Sequence, residues 1–437
     1  MITMRVSLRP PVRNSFLMLF ASLLASCSPG PFNGSIKCQD FDSIPITPSS
    51  SQVSHTVFET PGTIIAIHGS GHARLHNGKS APAIKVEQSV TLPAYADRAT
   101  VFLNGWRLSY LGGDQHVLVL GSLITKIRTT LDDTTGEKKL VWNALALLRD
   151  DDGEEGYNWN YDFTVLAWNA GSVAADVDQG NANNQFCAPD GTILDNLYHG
   201  INVGTSSALS SFFSFIKDTI FGTDKAVAAL PRGFAFWWGG DHHLLQMAYN
   251  LDHSEIFVDT RKYSIRDGSI NAVPPGASVA ASGFVSWNTN IIFKDNDTRR
   301  DYAFGEVVSA MGGSDVGVIQ PPFSILPSES AWFCGTQDSP PVRTEEFVIE
   351  NVPFEYAIPM LTGWDLEYLC NDQHVKEIGI WIDNWSYQPP AGGAGGILRY
   401  TLGSVLRDDD NNPDYGHSHK VTVLGLRPML GSTRTGG

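Results

Sequence analysis

The stretch Gly105-Trp106-Arg107-Leu108-Ser109-Tyr110-Leu111-Gly112-Gly113-Asp114-Gln115-His116-Val117 returns as Gly363-Trp364-Asp365-Leu366-Glu367-Tyr368-Leu369-Cys370-Asn371-Asp372-Gln373-His374-Val375. A looser version, Gly233-Phe234-Ala235-Phe236-Trp237-Trp238-Gly239-Gly240-Asp241-His242-His243-Leu244, lies between them. Residues 105–168 align with 363–426 without a gap, and 21 of the 64 positions are identical, where chance supplies about four. The identities run on through Leu148-Arg149-Asp150-Asp151-Asp152 against Leu406-Arg407-Asp408-Asp409-Asp410, and Thr164-Val165-Leu166 against Thr422-Val423-Leu424. The middle copy keeps this order with a longer interval before Lys294-Asp295-Asn296-Asp297. The chain is expected to fold as three versions of one unit, near 95–169, 226–312 and 354–427.

Within a unit the pattern is that of strands. Trp106, Leu108 and Tyr110 alternate with Arg107 and Ser109, which puts one bulky apolar face on a sheet. Gly112-Gly113 marks a turn, and Val117-Leu118-Val119-Leu120 starts a returning strand. Leu140 to Leu148 and Phe163-Thr164-Val165-Leu166 supply two more. Forty-two glycines, 24 prolines and 11% aromatic residues suit short antiparallel strands joined by tight turns. Ser207 to Phe221 is predicted to be a linking helix, with Leu209, Phe213, Ile216 and Ile220 on one stripe and Gly222 as its stop. His68-Gly69-Ser70-Gly71-His72 reads as a glycine turn after the strand Thr63 to Ile67. The expected fold is all-β, with three tandem antiparallel sandwich-like repeats and one short helix.

The N-terminus carries a different message. Arg5, Arg9 and Arg13 form a basic region without an acid, followed by the apolar run Phe16 to Leu24. That run is too short to span a bilayer as a helix. It ends in Leu24-Ala25-Ser26-Cys27, which resembles the lipobox of bacterial lipoproteins. The resemblance implies cleavage before Cys27 and acylation of that residue, which would anchor the protein to a membrane of the cell envelope. The divisions expected are a signal peptide (1–26), a lipidated tether (27–56), a first β unit (57–175), a linker with its helix (176–225), a second unit (226–325) and a third (326–437). Cys38, Cys187, Cys334 and Cys370 allow two disulfides in an exported chain, with three pairings open.

A formal charge of −16 without any basic cluster argues against nucleic acid as a partner. Three constellations remain for chemistry. Asp114/His116, Asp241/His243 and Asp372/His374 repeat an Asp-x-His spacing, and on a strand residues i and i+2 share a face. Carboxylate and imidazole can then meet one ligand, a sugar hydroxyl or a metal; alternatively the aspartate holds the turn and the histidine bonds a neighbouring strand. The acidic turns, with Asp150 and Asp152, Asp295 and Asp297, Asp408 and Asp410, offer oxygen ligands of the kind Ca2+ takes. They read equally as solvated loops whose charge is offset by Arg149, Lys294 and Arg407. Trp237-Trp238 is the densest aromatic pair for stacking a sugar ring.

The order of apolar strand, polar turn, Asp-x-His strand and closing Thr-Val-Leu strand is similar to H-type lectin modules, which implies small antiparallel sandwiches that bind sugars. The expectation is a lipid-anchored, non-catalytic binding or assembly surface with a glycan or an envelope protein as partner. The alternatives are an exported hydrolase using an Asp/His pair, or a purely structural subunit of a surface complex.

Overall fold

The computed structural model describes residues 39–40, 45–76, 83–113, 115–150, 155–178, 185–187, 192–195, 197–204, 210–218, 226–256, 263–266, 269–272, 284–295, 300–320, 342–369, 373–391, 395–409 and 415–428. Residues 1–26, expected to form a signal peptide, and Cys27 lie outside them, as do Cys38, Cys334 and Cys370; Cys187 ends a short strand, Gln185–Cys187, of which only the backbone is described.

Every helix or strand among the described residues is a strand, and the large ones form three curled antiparallel sheets. The four strands of the first unit are Arg98–Tyr110 (opening), Val117–Leu131 (second), Lys138–Arg149 (third) and Tyr157–Trp168 (closing). Ala226–His242, Gln246–Ile256, Phe284–Lys294 and Arg300–Gly313 follow in the second unit. Phe354–Tyr368, Glu377–Gln388, Gly396–Arg407 and Tyr415–Pro428 follow in the third.

Within each unit the opening strand pairs with the closing one, and the second with the third. The two pairs of a unit pack face to face, as Trp142 on Phe163, Phe236 on Phe293 and the Tyr415 hydroxyl on the Ser404 carbonyl show. Each pair also continues into a neighbouring unit, because the second strand of each unit joins the opening strand of the next. Val117–Leu131 pairs with Ala226–His242, Gln246–Ile256 with Phe354–Tyr368, and Glu377–Gln388 with Arg98–Tyr110. Each sheet is therefore shared by two units, and the last is shared by units three and one.

The expected alternation explains the centre. Trp106, Leu108 and Tyr110 are buried while Arg107 and Ser109 are only half covered. Trp106, Phe234 and Trp364, aligned in the three copies, meet with ring centroids 5.1, 5.2 and 5.3 Å apart. Leu103, Pro231 and Leu361, also in corresponding places, line a small cavity beneath them. The three opening strands thus converge on one axis, and their apolar faces form a common core. Burying each of these rings contributes about 1.5–3 kcal/mol, with about 0.5–1.5 kcal/mol more per aromatic pair.

Two local expectations are corrected. Ser210–Asp218, inside the stretch predicted as a helix, is a strand antiparallel to Phe284–Lys294. Its Phe212-Phe213-Ser214-Phe215-Ile216 core is aromatic and β-branched, and such residues favour the pleated sheet once a partner strand is available. The apolar spacing that suggested a helix could not tell the two apart over so short a run. His68 to His72 is not a turn but the middle of the continuous strand Ile64–Leu75. Gly69 and Gly71 pair directly with Phe163 and Tyr161, and a Cβ at either would collide with the opposing ring. These glycines make room for aromatics across the ladder.

Candidate metal centre

His116, His243 and His374 each lie between an opening and a second strand. The residues on either side of each histidine are tied to a neighbouring unit. Gln115 N–H donates to Val375 O at 3.0 Å and Val375 N–H returns a bond to Gln115 O at 2.8 Å. Gln373 and Leu244 exchange the same two bonds, both at 2.9 Å. His242 pairs with Val117 in the sheet of units one and two. The three turns therefore close a triangle of bridges, each joining the residue before one histidine to the residue after another.

Val117, Leu244 and Val375 are buried beneath this triangle. His116, His243 and His374 stand between the bridged residues, partly exposed. Their rings pack around the axis with all three centroid separations at 4.6 Å. One nitrogen from each lies within 4.8 Å of the other two. The Tyr110 and Tyr368 hydroxyls donate to the carbonyls of His116 and His374, both at 3.2 Å, which fixes the backbone of two of the three turns.

Three imidazoles facing one point are a donor set for a borderline divalent metal such as zinc. Ligands at about 2.0–2.1 Å in tetrahedral geometry have nitrogens about 3.3 Å apart, so from separations of up to 4.8 Å the three rings would draw inward around a bound ion. The three protein nitrogens would leave a fourth position open towards solvent. Among the described residues no other group of three or more His, Cys, Asp or Glu side chains converges in this way.

The histidines of the three copies of the motif thus come together at one place. The structure brings together His116, His243 and His374; the side chains of Asp114, Asp241 and Asp372, and of Trp237 and Trp238, lie outside the described residues. Of the acidic turns, Asp150, Asp295 and Asp408 are buried rather than held out to solvent, each with partners within the fold. Asp152, Asp297 and Asp410 lie outside the described residues.

A second polar constellation had no signature in the sequence. Asp162, Trp381 and Asp383 share one cleft, although they sit on strands of different units. Beside it, the His68 ring bonds the Asp383 carbonyl at 3.0 Å, and burial pushes its pKa down to about 4. No known family model matches the chain, and a search of curated proteins finds no significant relative.

Proposed function

We propose that the protein is a non-catalytic binding or assembly protein of the bacterial cell envelope, in which three copies of a four-stranded unit are locked around one transition-metal centre. The observation that carries this reading is the meeting of His116, His243 and His374 on the axis where the units join. A metal there holds one ligand from each unit, so it stabilises the closed arrangement over any state in which a unit has swung away. The lipobox supports attachment through an acylated Cys27, which would place the folded part at a membrane surface.

The decisive experiment is titration of the metal-stripped chain with Zn2+, Ni2+ and Co2+, followed by calorimetry and thermal melting. Binding at one ion per chain, with a raised melting temperature that His116→Ala, His243→Ala and His374→Ala each abolish, is the expected result. Absence of binding by a folded chain, or binding unchanged in all three variants, would overturn the proposal.

A further inference from the structure

The three shared sheets place equivalent residues in equivalent rows, and one of them differs in kind. Gly105, Gly233 and Gly363 occupy the same position of the three opening strands. Each pairs on one side with the closing strand of its own unit, at Asp162, Val307 and Lys420 respectively. On the other side it pairs with the second strand of the preceding unit, at Trp381, Leu123 and Asn250.

In the sheet of units one and two this row is apolar and closed. Leu123 and Val307 pack with Leu145 and Leu147 into a separate buried cluster. In the sheet of units two and three, the Lys420 ammonium donates to the Leu251 carbonyl, and both Lys420 and Asn250 are buried with partners. The sheet of units three and one instead opens into a cleft of about 660 Å3, the size of a small-molecule site.

The cleft exists because this sheet curls back on itself without closing. Ser49–Thr60 and Ile64–Leu75 reach Glu377–Gln388 through His55 to the Trp385 carbonyl at 3.3 Å and His68 to the Asp383 carbonyl at 3.0 Å. Its floor is built around Trp381. The indole lies across Gly403 on the adjacent strand, where any Cβ would strike the ring, and the Arg107 guanidinium stands 5.4 Å from its centroid. Arg107 is itself held by Glu377. Asp162, Asn160, His72 and Asp383 line the cleft together with residues of the strands Ser49–Thr60 and Ile64–Leu75, and His72 Nδ1 and Asn160 Oδ1 are 2.9 Å apart.

We infer that this cleft is a saccharide-binding site, with Trp381 as the platform for a sugar ring and Asp162, Asn160 and Asp383 as the partners of its hydroxyls. A sugar ring has an apolar face of C–H groups and an equatorial belt of hydroxyls. An aromatic ring beside planar carboxyl and amide groups meets both. Asp383 disfavours phosphate or other anionic ligands, since the one cation of the cleft, Arg107, is already paired with Glu377. The hydroxyl and amide side chains of Ser50, Ser51 and Gln52, on the edge strand Ser49–Thr60, add further neutral polar groups to the lining. Burial, reinforced by the neighbouring Asp383 charge, pushes the Asp162 pKa up to about 8, so at neutral pH its carboxyl both donates and accepts, as a neutral polyol requires. The inference rests on the non-catalytic binding reading above, not on the metal centre.

The test uses maltotetraose, cellotetraose and tetra-N-acetylchitotetraose, titrated at up to millimolar concentration into the full folded chain, with tryptophan fluorescence and calorimetry as readouts. At least one probe should bind, Trp381→Ala should weaken it by about tenfold or more, and Asp162→Ala should do likewise. His374→Ala should bind the sugar as the parent does. The zinc response of Trp381→Ala, unchanged from the parent, serves as the control that it has folded. If none of the three probes binds, or if binding survives Trp381→Ala undiminished, the inference is wrong. Sugar binding without zinc binding would remove the metal centre and leave the cleft; zinc binding without sugar binding would do the reverse.

Discussion

Gln115 and Val375, 260 positions apart in the chain, exchange both of their backbone hydrogen bonds, so the turn of the first unit is bonded directly to that of the third. Gln373 and Leu244 exchange the same two bonds, and His242 pairs with Val117 in the sheet of units one and two. The histidines between these bridged residues have nowhere to point but the axis. A ligand set made this way is positioned by backbone pairing, which is stiffer than a loop.

The first prediction concerns that set. Zinc at about a hundred times its dissociation constant should stabilise the parent by about 2.7 kcal/mol. Each single histidine-to-alanine substitution should remove most of that gain, since two ligands bind far more weakly than three. Without metal the same variants should melt close to the parent, because their rings are partly exposed. Differential scanning calorimetry with and without chelator measures both.

The aromatic cluster beneath should dominate stability. Trp364→Ala and Trp106→Ala should each cost about 3–5 kcal/mol in urea unfolding. Trp364→Phe should be milder, since Phe234 already fills the corresponding place in the second unit.

The junctions between units should respond individually. Glu377 is buried and bridges Arg107 and Arg407, joining units three and one. Its removal strands two guanidinium groups that remain about a third exposed, so Glu377→Ala should cost about 1–3 kcal/mol, less than a fully buried pair. Hydrogen exchange should quicken most in Arg98–Tyr110 and Glu377–Gln388.

Stability should depend on pH in two opposite ways. Burial holds the His68 and His419 pKa values down to about 4, against about 6.5 in the unfolded chain. The unfolded state therefore takes up protons first, and stability should fall as pH drops from about 6.5 to about 4. Asp162 and Asp365 are shifted the other way by burial, to about 8 and about 7. In the folded chain they keep protons that the unfolded chain has released, so their contribution is complete below about 4 and is lost as pH rises through those values. Asp162→Asn should accordingly raise the melting temperature at pH 9 and leave it nearly unchanged at pH 4.

Much of this was legible in the residues. The alternation of Trp106, Leu108 and Tyr110 marks the buried face, and the duplicated Asp-Gln-His-Val marks the turn that carries the candidate ligands. What periodicity could not reveal is which unit a strand pairs with, because one face of a strand looks the same whichever neighbour lies beside it. That is why the convergence of His116, His243 and His374 has no signature in the spacing of their motifs. Asp162 and Trp381 were invisible for a related reason: they flank Gly105 from two different strands, and the repeat that makes Gly105 stand out does not say which strands lie beside it. Ser210–Asp218 shows the limit of composition, since its apolar spacing fits a helix and a strand equally well.

The sharing of sheets also bears on how copies of the chain behave towards one another. The second strand of each unit accepts the opening strand of the next, and the contact between units three and one is the only such contact that brings the sequence back to its start. If that contact opens, it exposes one donor edge and one acceptor edge of head-to-tail type, which fit a second copy as well as their own. A ring of three would then become an open-ended polymer. Val119 and Ala235 share one apolar cluster, Gln246 bonds Asp365, and Glu377 pairs with Arg107 at corresponding positions of the three contacts. An edge of one chemistry is poorly satisfied by the others, which restricts exchange between copies to the one correct pairing.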